Sequence, residues 1–204
     1  MSARSWYFAA SLVSVLAVPN LEAASAPAPT SRIWYPASSY PQLSLPDGRR
    51  EIVRSMLDVA KPMQFGDFVW NEDRVPRGPV WVRVDLGLQL LSVFRDGHEI
   101  GSAVILFGTD GKATPTGDFT VQDKNANYHS HTYDAPMPYA LRLTSDGVAI
   151  HGSNVREGWA THGCIGVPLE FARRLFAAPK SSRAKSSGTP MQPWVAQPSR
   201  TLLP

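Results

Sequence analysis

Between Val80 and His151 the chain breaks into short β-rich runs separated by Asp-Gly pairs, and this punctuation constrains the fold more than any other feature. In the first run Val80, Val82, Val84 and Leu86 alternate with Trp81, Arg83 and Asp85, the two-residue period of a strand with one buried face. Further runs follow at 90–94, 99–107, 117–122, 139–143 and 148–151, with Asp96-Gly97, Asp110-Gly111 and Asp146-Gly147 among the turns. Such turns need positive φ, which glycine adopts without steric cost. One helix interrupts the pattern at 168–177, where Pro168 suits the first turn and Leu169, Ala172, Leu175 and Phe176 form an apolar stripe. The expectation is a mainly β fold, an antiparallel sandwich or barrel, with one short helix just after Cys164.

The flanks read differently. Arg4, the apolar stretch from Tyr7 to Val18, Pro19 and an Ala-rich segment have the order of a secretory signal peptide. The apolar part is well short of the ~20 residues that a spanning helix needs. Residues 1–26 are read as that signal, with cleavage between Ala23 and Ala26, and the mature chain is expected across the cytoplasmic membrane, in the periplasm or cell wall. Residues 27–79 form an N-terminal extension: a Pro/Ser/Ala-rich strap, then a short helix capped by Asp47 and carrying Ile52, Val53, Met56, Leu57 and Ala60 at helical spacing before Pro62. Residues 80–178 hold the regular strand pattern and the helix, and 179–204, rich in Ser, Pro, Lys and Arg, read as a flexible basic tail. The net charge of +3 is spread along the chain. No basic run is interleaved with aromatics, so no nucleic-acid partner is expected.

The chain has a single cysteine, which in an exported protein has no partner for an internal disulfide. Its setting gives it a use. The segment IHGSNVREGWATHGCIGVP holds His151, His162 and Cys164 within fourteen positions. A thiol is a weak nucleophile until a base or a positive charge favours the thiolate. His151 ends an expected strand and Cys164 lies one loop away, so the imidazole can come within hydrogen-bond reach of the sulfur. Gly152 and Gly163 allow close backbone approach, and the amides near Cys164 are candidates for an oxyanion hole.

His151-Gly152 followed by Thr161-His162-Gly163-Cys164-Ile165 resembles the catalytic motif of the L,D-transpeptidases. ATPTGDFTV, from Ala113 to Val121, is similar to the Thr-Pro-x-Gly-x-Phe segment of the same YkuD-type domain, and PYALRLTSDGVAIHG to the strands that lead to its histidine. The resemblance covers about 80–178. It implies a β-sandwich enzyme that acts on peptidoglycan stem peptides. Cysteine attacks the amide after the third residue, D-alanine leaves, and an amine from a second stem resolves the thioester into a 3→3 cross-link. A lipoprotein amine or water serves instead in some relatives. Carried over residue by residue, Cys164 is nucleophile and His151 base and then acid. The Gly152 carbonyl orients the imidazole, and His162 with the Gly163 and Cys164 amides surrounds the oxyanion. The resemblance also implies carbapenem-type acylating inhibitors and no cofactor or metal. Two features depart from the family pattern: the interval from His151 to Thr161 is short, and Gly166 stands where Arg or Asn is frequent. Arg156, and after it Arg142, are the candidate cations for a substrate carboxylate; Trp159 and Thr161 are candidate substrate contacts.

Other chemistries remain in competition at this stage. An L,D-carboxypeptidase or amidase would use water at the same cysteine. A metal-dependent amidase would draw on His129, His131, His151, His162 and Cys164, although His-Glu-x-x-His and paired Cys-x-x-Cys spacings are missing. A non-catalytic wall-binding module would keep the sandwich and not the reactive pair.

Overall fold

The computed structural model describes residues 31–45, 48–109, 111–178 and 183–187. The expected signal peptide lies outside them, as do Asp47, Asp110 and the expected tail apart from 183–187. Strands β1 (Arg32–Trp34), β2 (Gln42–Ser44), β3 (Arg50–Ile52), β4 (Ser55–Leu57) and β5 (Phe68–Trp70) come first. The regular run gives β6 (Val80–Asp85), β7 (Leu90–Arg95), β8 (His98–Val104) and β9 (Gly117–Thr120). A long hairpin of β10 (Asp123–Ser130) and β11 (Ala135–Arg142) follows, then β12 (Ala149–Ser153), β13 (Ile165–Pro168), helix α1 (Leu169–Ala177) and β14 (Arg183–Ser187).

One sheet of eight strands runs β1-β4-β8-β7-β6-β14-β9, with β5 also on β8, and a second runs β10-β11-β12-β13. The fold is mainly β with one α-helix among the described residues, but the sheets are mixed rather than antiparallel. β4–β8, β6–β14 and β12–β13 are parallel pairs. Val80, Val82 and Val84 of β6 are buried as their alternation dictates, and they meet Leu141, Ile150, Ile165 and Val167 of the smaller sheet. Helix α1 adds Phe171 and Leu175 to this core. The Phe171 ring stands edge-on to Trp70 at 5.3 Å, and the Trp70 ring in turn lies over Gly101, where a Cβ would come within 2.4 Å of it. Asp96 and Gly97 both have positive φ, so a tight turn of the expected kind joins β7 to β8.

The helix expected over 52–60 is not formed. The segment is extended, as β3 and β4, and β4 lies between β1 and β8. Helical spacing of apolar residues was produced here by a strand buried on both faces: Ser55, Met56 and Leu57 are all buried. Val53 and Met56 pack with Leu43 and Phe94, and the polar groups of the segment are paired as well. Glu99, fully buried, accepts from the Leu57 amide at 3.0 Å and the Ser92 hydroxyl at 2.8 Å. Ser55 Oγ lies 2.8 Å from His98 Nδ1, and the Arg32 guanidinium of β1 donates to Ser55 Oγ and to the carbonyls of Glu99 and Asn71. The extension at 27–79 therefore shares a sheet with the catalytic unit. The expected tail is also corrected: 183–187 form β14, parallel to β6 and antiparallel to β9, giving two otherwise open strand edges a backbone partner.

Two bridges tie the sheets together where the site lies. Leu106, just beyond β8, exchanges hydrogen bonds with Gly166 at 2.8 and 2.9 Å, and Gly108 bridges Thr161.

Candidate active site

His151 of β12 lies opposite Gly166 of β13, and Ile150 lies opposite Ile165. Because strand side chains alternate, the two isoleucines enter the core while His151 and position 166 share the other face. Cys164 directly precedes β13, and its sulfur meets the Ala149 amide, two residues before His151 on β12. The parallel register of two short strands thus brings the backbone of His151 near that of Cys164.

The loop ahead of Cys164 is pinned at several points. The Thr161 amide donates to Phe107 O at 3.0 Å and its hydroxyl to Cys164 O at 2.5 Å. Gly163 turns the chain with φ +100°. Gly108 lies so close that a Cβ there would stand 2.1 Å from Lys112 O and 2.6 Å from the Gly163 nitrogen. Only glycine lets the loop at 107–113 lie against the cysteine loop. Thr114 completes the arrangement by accepting the Gly108 amide at 2.8 Å, which gives the Thr-Pro-x-Gly segment a structural role.

His151 is 8% exposed, and its Nδ1–H donates to Gly152 O at 2.9 Å. A carbonyl only accepts, so this bond fixes the proton on Nδ1 and leaves the Nε2 lone pair for a base. Burial lowers the imidazole pKa, and the Gly152 carbonyl acts against it. The base is therefore neutral near pH 7. Burial also pushes the Cys164 thiol upward; the Ala149 amide, which hydrogen-bonds the sulfur, and the Lys112 ammonium pull it down, and Asp146 adds to the rise. The sulfur also lies 3.8 Å from Gly147 O. This is a thiol awaiting a base rather than a preformed thiolate.

The exposed His162 ring stacks on Tyr133 at 4.4 Å and 20°. Tyr133 stands in the turn of the β10–β11 hairpin, whose arm runs past the sheet: only Leu141 and Arg142 of β11 pair with β12. Lys112 Nζ donates to the Tyr133 hydroxyl at 3.2 Å. Arg156 and Trp159 occupy the loop between β12 and β13. The Arg156 Nε–H donates to Asn154 Oδ1 at 3.1 Å, and its guanidinium lies 5.7 Å from the Trp159 ring, which is 56% exposed. Arg142 donates to Gln122 Oε1 at 2.9 Å. His129 lies 3.7 Å from Asp134, and among the described residues no group of three His, Cys, Asp or Glu side chains could hold a metal ion. A Cβ at Gly166 would stand 3.0 Å from Ser153 Cβ and 3.4 Å from Leu106 Cβ, which explains the glycine by space.

Gly108, Lys112, Tyr133, Asp146 and the Ala149 amide were not legible as site residues. Gly108 and Lys112 lie just ahead of the Thr-Pro-x-Gly segment, a proximity that could have drawn attention to them. Tyr133 and the Ala149 amide reach the site through strand pairing alone.

A buried imidazole whose Nδ1–H is committed to a carbonyl, on the strand whose Ala149 amide meets a half-buried thiol, supplies the groups that a nucleophile-and-base pair requires. The family model for the L,D-transpeptidase catalytic domain, YkuD, matches residues 79–191, and the chain belongs to that family. Among solved structures it is similar to an L,D-transpeptidase from Stackebrandtia nassauensis, with 24% identity, TM-score 0.51, and coverage of 57% of this chain and 60% of that one. It is also similar to LdtMt1, solved in complex with imipenem, at 19% identity and TM-score 0.50, covering 53% of this chain and 59% of that one. The match thus spans about 60% of the length of these structures. The likeness is one of fold. A search of curated proteins finds no match.

Proposed function

We propose that this chain is a peptidoglycan L,D-transpeptidase of the cell envelope that transfers a stem peptide's acyl group through Cys164. The observation that carries this reading is the His151 Nδ1–H bond to Gly152 O, which leaves Nε2 free two residues along β12 from the Ala149 amide that meets the Cys164 sulfur. In the reaction Cys164 Sγ attacks the carbonyl after the third stem residue while its proton passes to His151 Nε2. The amides near Gly163 and Cys164 are the donors proposed for the oxyanion. Collapse breaks the amide, and the departing D-alanine nitrogen takes the proton back from His151. An amine then attacks the thioester, gives up its proton to His151 and regenerates the thiol, leaving a 3→3 cross-link or attachment to another amine. Family membership supports the substrate class, and the expected signal at 1–26 supports the location.

Incubating purified protein with a stem tetrapeptide tests the proposal by mass spectrometry. D-alanine release together with a cross-linked dimer is expected; release with tripeptide alone would assign water as acceptor, making the enzyme a carboxypeptidase. Cys164→Ser is expected to lose roughly 10³-fold or more in turnover. His151→Ala should slow acylation roughly 10²-fold at neutral pH, with recovery at alkaline pH as the thiol ionises unaided. A carbapenem should add a single adduct, at Cys164, and an adduct elsewhere or a fully active Cys164→Ser would end the cysteine mechanism.

A further inference from the structure

Around Cys164 the cations are not equivalent. Arg156 lies on Trp159 and Asn154, and Arg142 is bound to Gln122. Lys112 differs from both. Its Cγ and its carbonyl each lie within 3.7 Å of where a Gly163 Cβ would stand, so it packs beside the residue that precedes the nucleophile. Its ammonium is held by the Tyr133 hydroxyl, and Tyr133 is stacked on His162, the residue before Gly163. None of the ion pairs among the described residues includes Lys112. Its charge lowers the Cys164 thiol pKa, and the Asp146 charge raises it.

A solvated cation held by a phenol hydroxyl and packed beside the turn that leads into Cys164 is an anion receptor with its position fixed. We infer that Lys112, presented by Tyr133, selects acyl donors that carry a carboxylate near the scissile amide. The inference rests on the acyl-transfer reading for its substrate and adds the residue that reads the substrate's charge. Gly166 has no side chain to serve in its place, and the space between Ser153 and Leu106 leaves little room for one.

The first test needs no substrate. Cys164 is the only cysteine of the chain, so alkylation by iodoacetate, an anion, and by iodoacetamide, its neutral counterpart, reports on that sulfur alone. Any change in the thiol's own ionisation alters both rates and cancels in their ratio. Lys112→Met should lower the iodoacetate-to-iodoacetamide ratio roughly five-fold or more at low salt, and Lys112→Arg should restore most of it. An unchanged ratio in Lys112→Met would overturn the inference. The second test compares stem tetrapeptides whose third residue bears a free or an amidated side-chain carboxyl. In Lys112→Met, KM should rise roughly ten-fold for the free carboxylate and less than about two-fold for the amide, while kcat falls alike on both. Equal KM changes would reject Lys112 as the charge reader. If the unaltered protein turns over neither donor, the proposed function fails, and the alkylation ratio alone then decides the fate of Lys112.

Discussion

Because burial already pushes the Cys164 thiol above its ordinary range, the two charges that act on it gain importance. Asp146, in the turn before β12, opposes thiolate formation. Asp146→Asn should therefore speed carbapenem acylation of Cys164 about two- to five-fold at neutral pH, and move the rate–pH profile to lower pH. A profile displaced to higher pH would show that Asp146 acts through the fold and not through its charge. Gly166 makes a second prediction at this scale. In Gly166→Ala the new Cβ would meet Ser153 Cβ at 3.0 Å, so Ser153 must yield, at a cost of about 1 kcal/mol of stability. Ser153→Gly removes the nearer obstacle, so the double variant should recover part of the loss in urea unfolding; strict additivity would deny the clash. His151 and Cys164 were legible because the motif names them. Lys112 and Tyr133 were not, since their roles arise only where loops from separate strands meet.

At the scale of elements, legibility followed burial. Strands β6 and β7 alternate because each has one buried face, and α1 carries a clean stripe. Strand β10, Asp-Lys-Asn-Ala-Asn-Tyr-His-Ser, has no apolar period because its hairpin arm leaves the sheet and exposes much of both faces. Strand β4 was misread as helix because it is buried on both faces and its polar partners lie on β8. That buried network also makes stability depend on pH. Burial, and next the Arg32 charge, hold His98 below its ordinary 6.5, with Arg54 in the same sense and Asp96 opposed. The unfolded chain takes up the proton first. The contribution is thus complete above pH 6.5 and is lost as pH falls from there toward the folded pKa. The melting temperature should drop between pH 7 and 5, and His98→Asn should reduce that drop while leaving the part carried by His151, whose shift has the same sign. An identical pH dependence in the variant would place the loss elsewhere.

For the whole molecule, the β-rich character and the position of the nucleophile could be read from 80–178, whereas the limits of the folded unit could not. Segments on both sides of that stretch enter the larger sheet: β1, β4 and β5 before it and β14 after it. Backbone pairing carries little sequence signature when the strands are three to five residues long. Ending the chain at Ala178 should leave β9 with no neighbour in its sheet and expose an edge of β6. Trypsin should then cleave at Lys124, four residues beyond β9 at the start of β10, about ten-fold faster or more than in the full chain; an equal rate would mean that β14 is dispensable.

The place of β14 also dictates a schedule. A ribosome delivers β6 and β9 long before Arg183, yet in the finished sheet those two strands meet only through β14. Until β14 forms, Gly117–Thr120 has the Phe119 side chain on the core and the Asp118–Arg49 ion pair but no strand to pair with in its sheet. The sheet around β9 is thus complete only once Arg183–Ser187, beyond Cys164 in the chain, has paired.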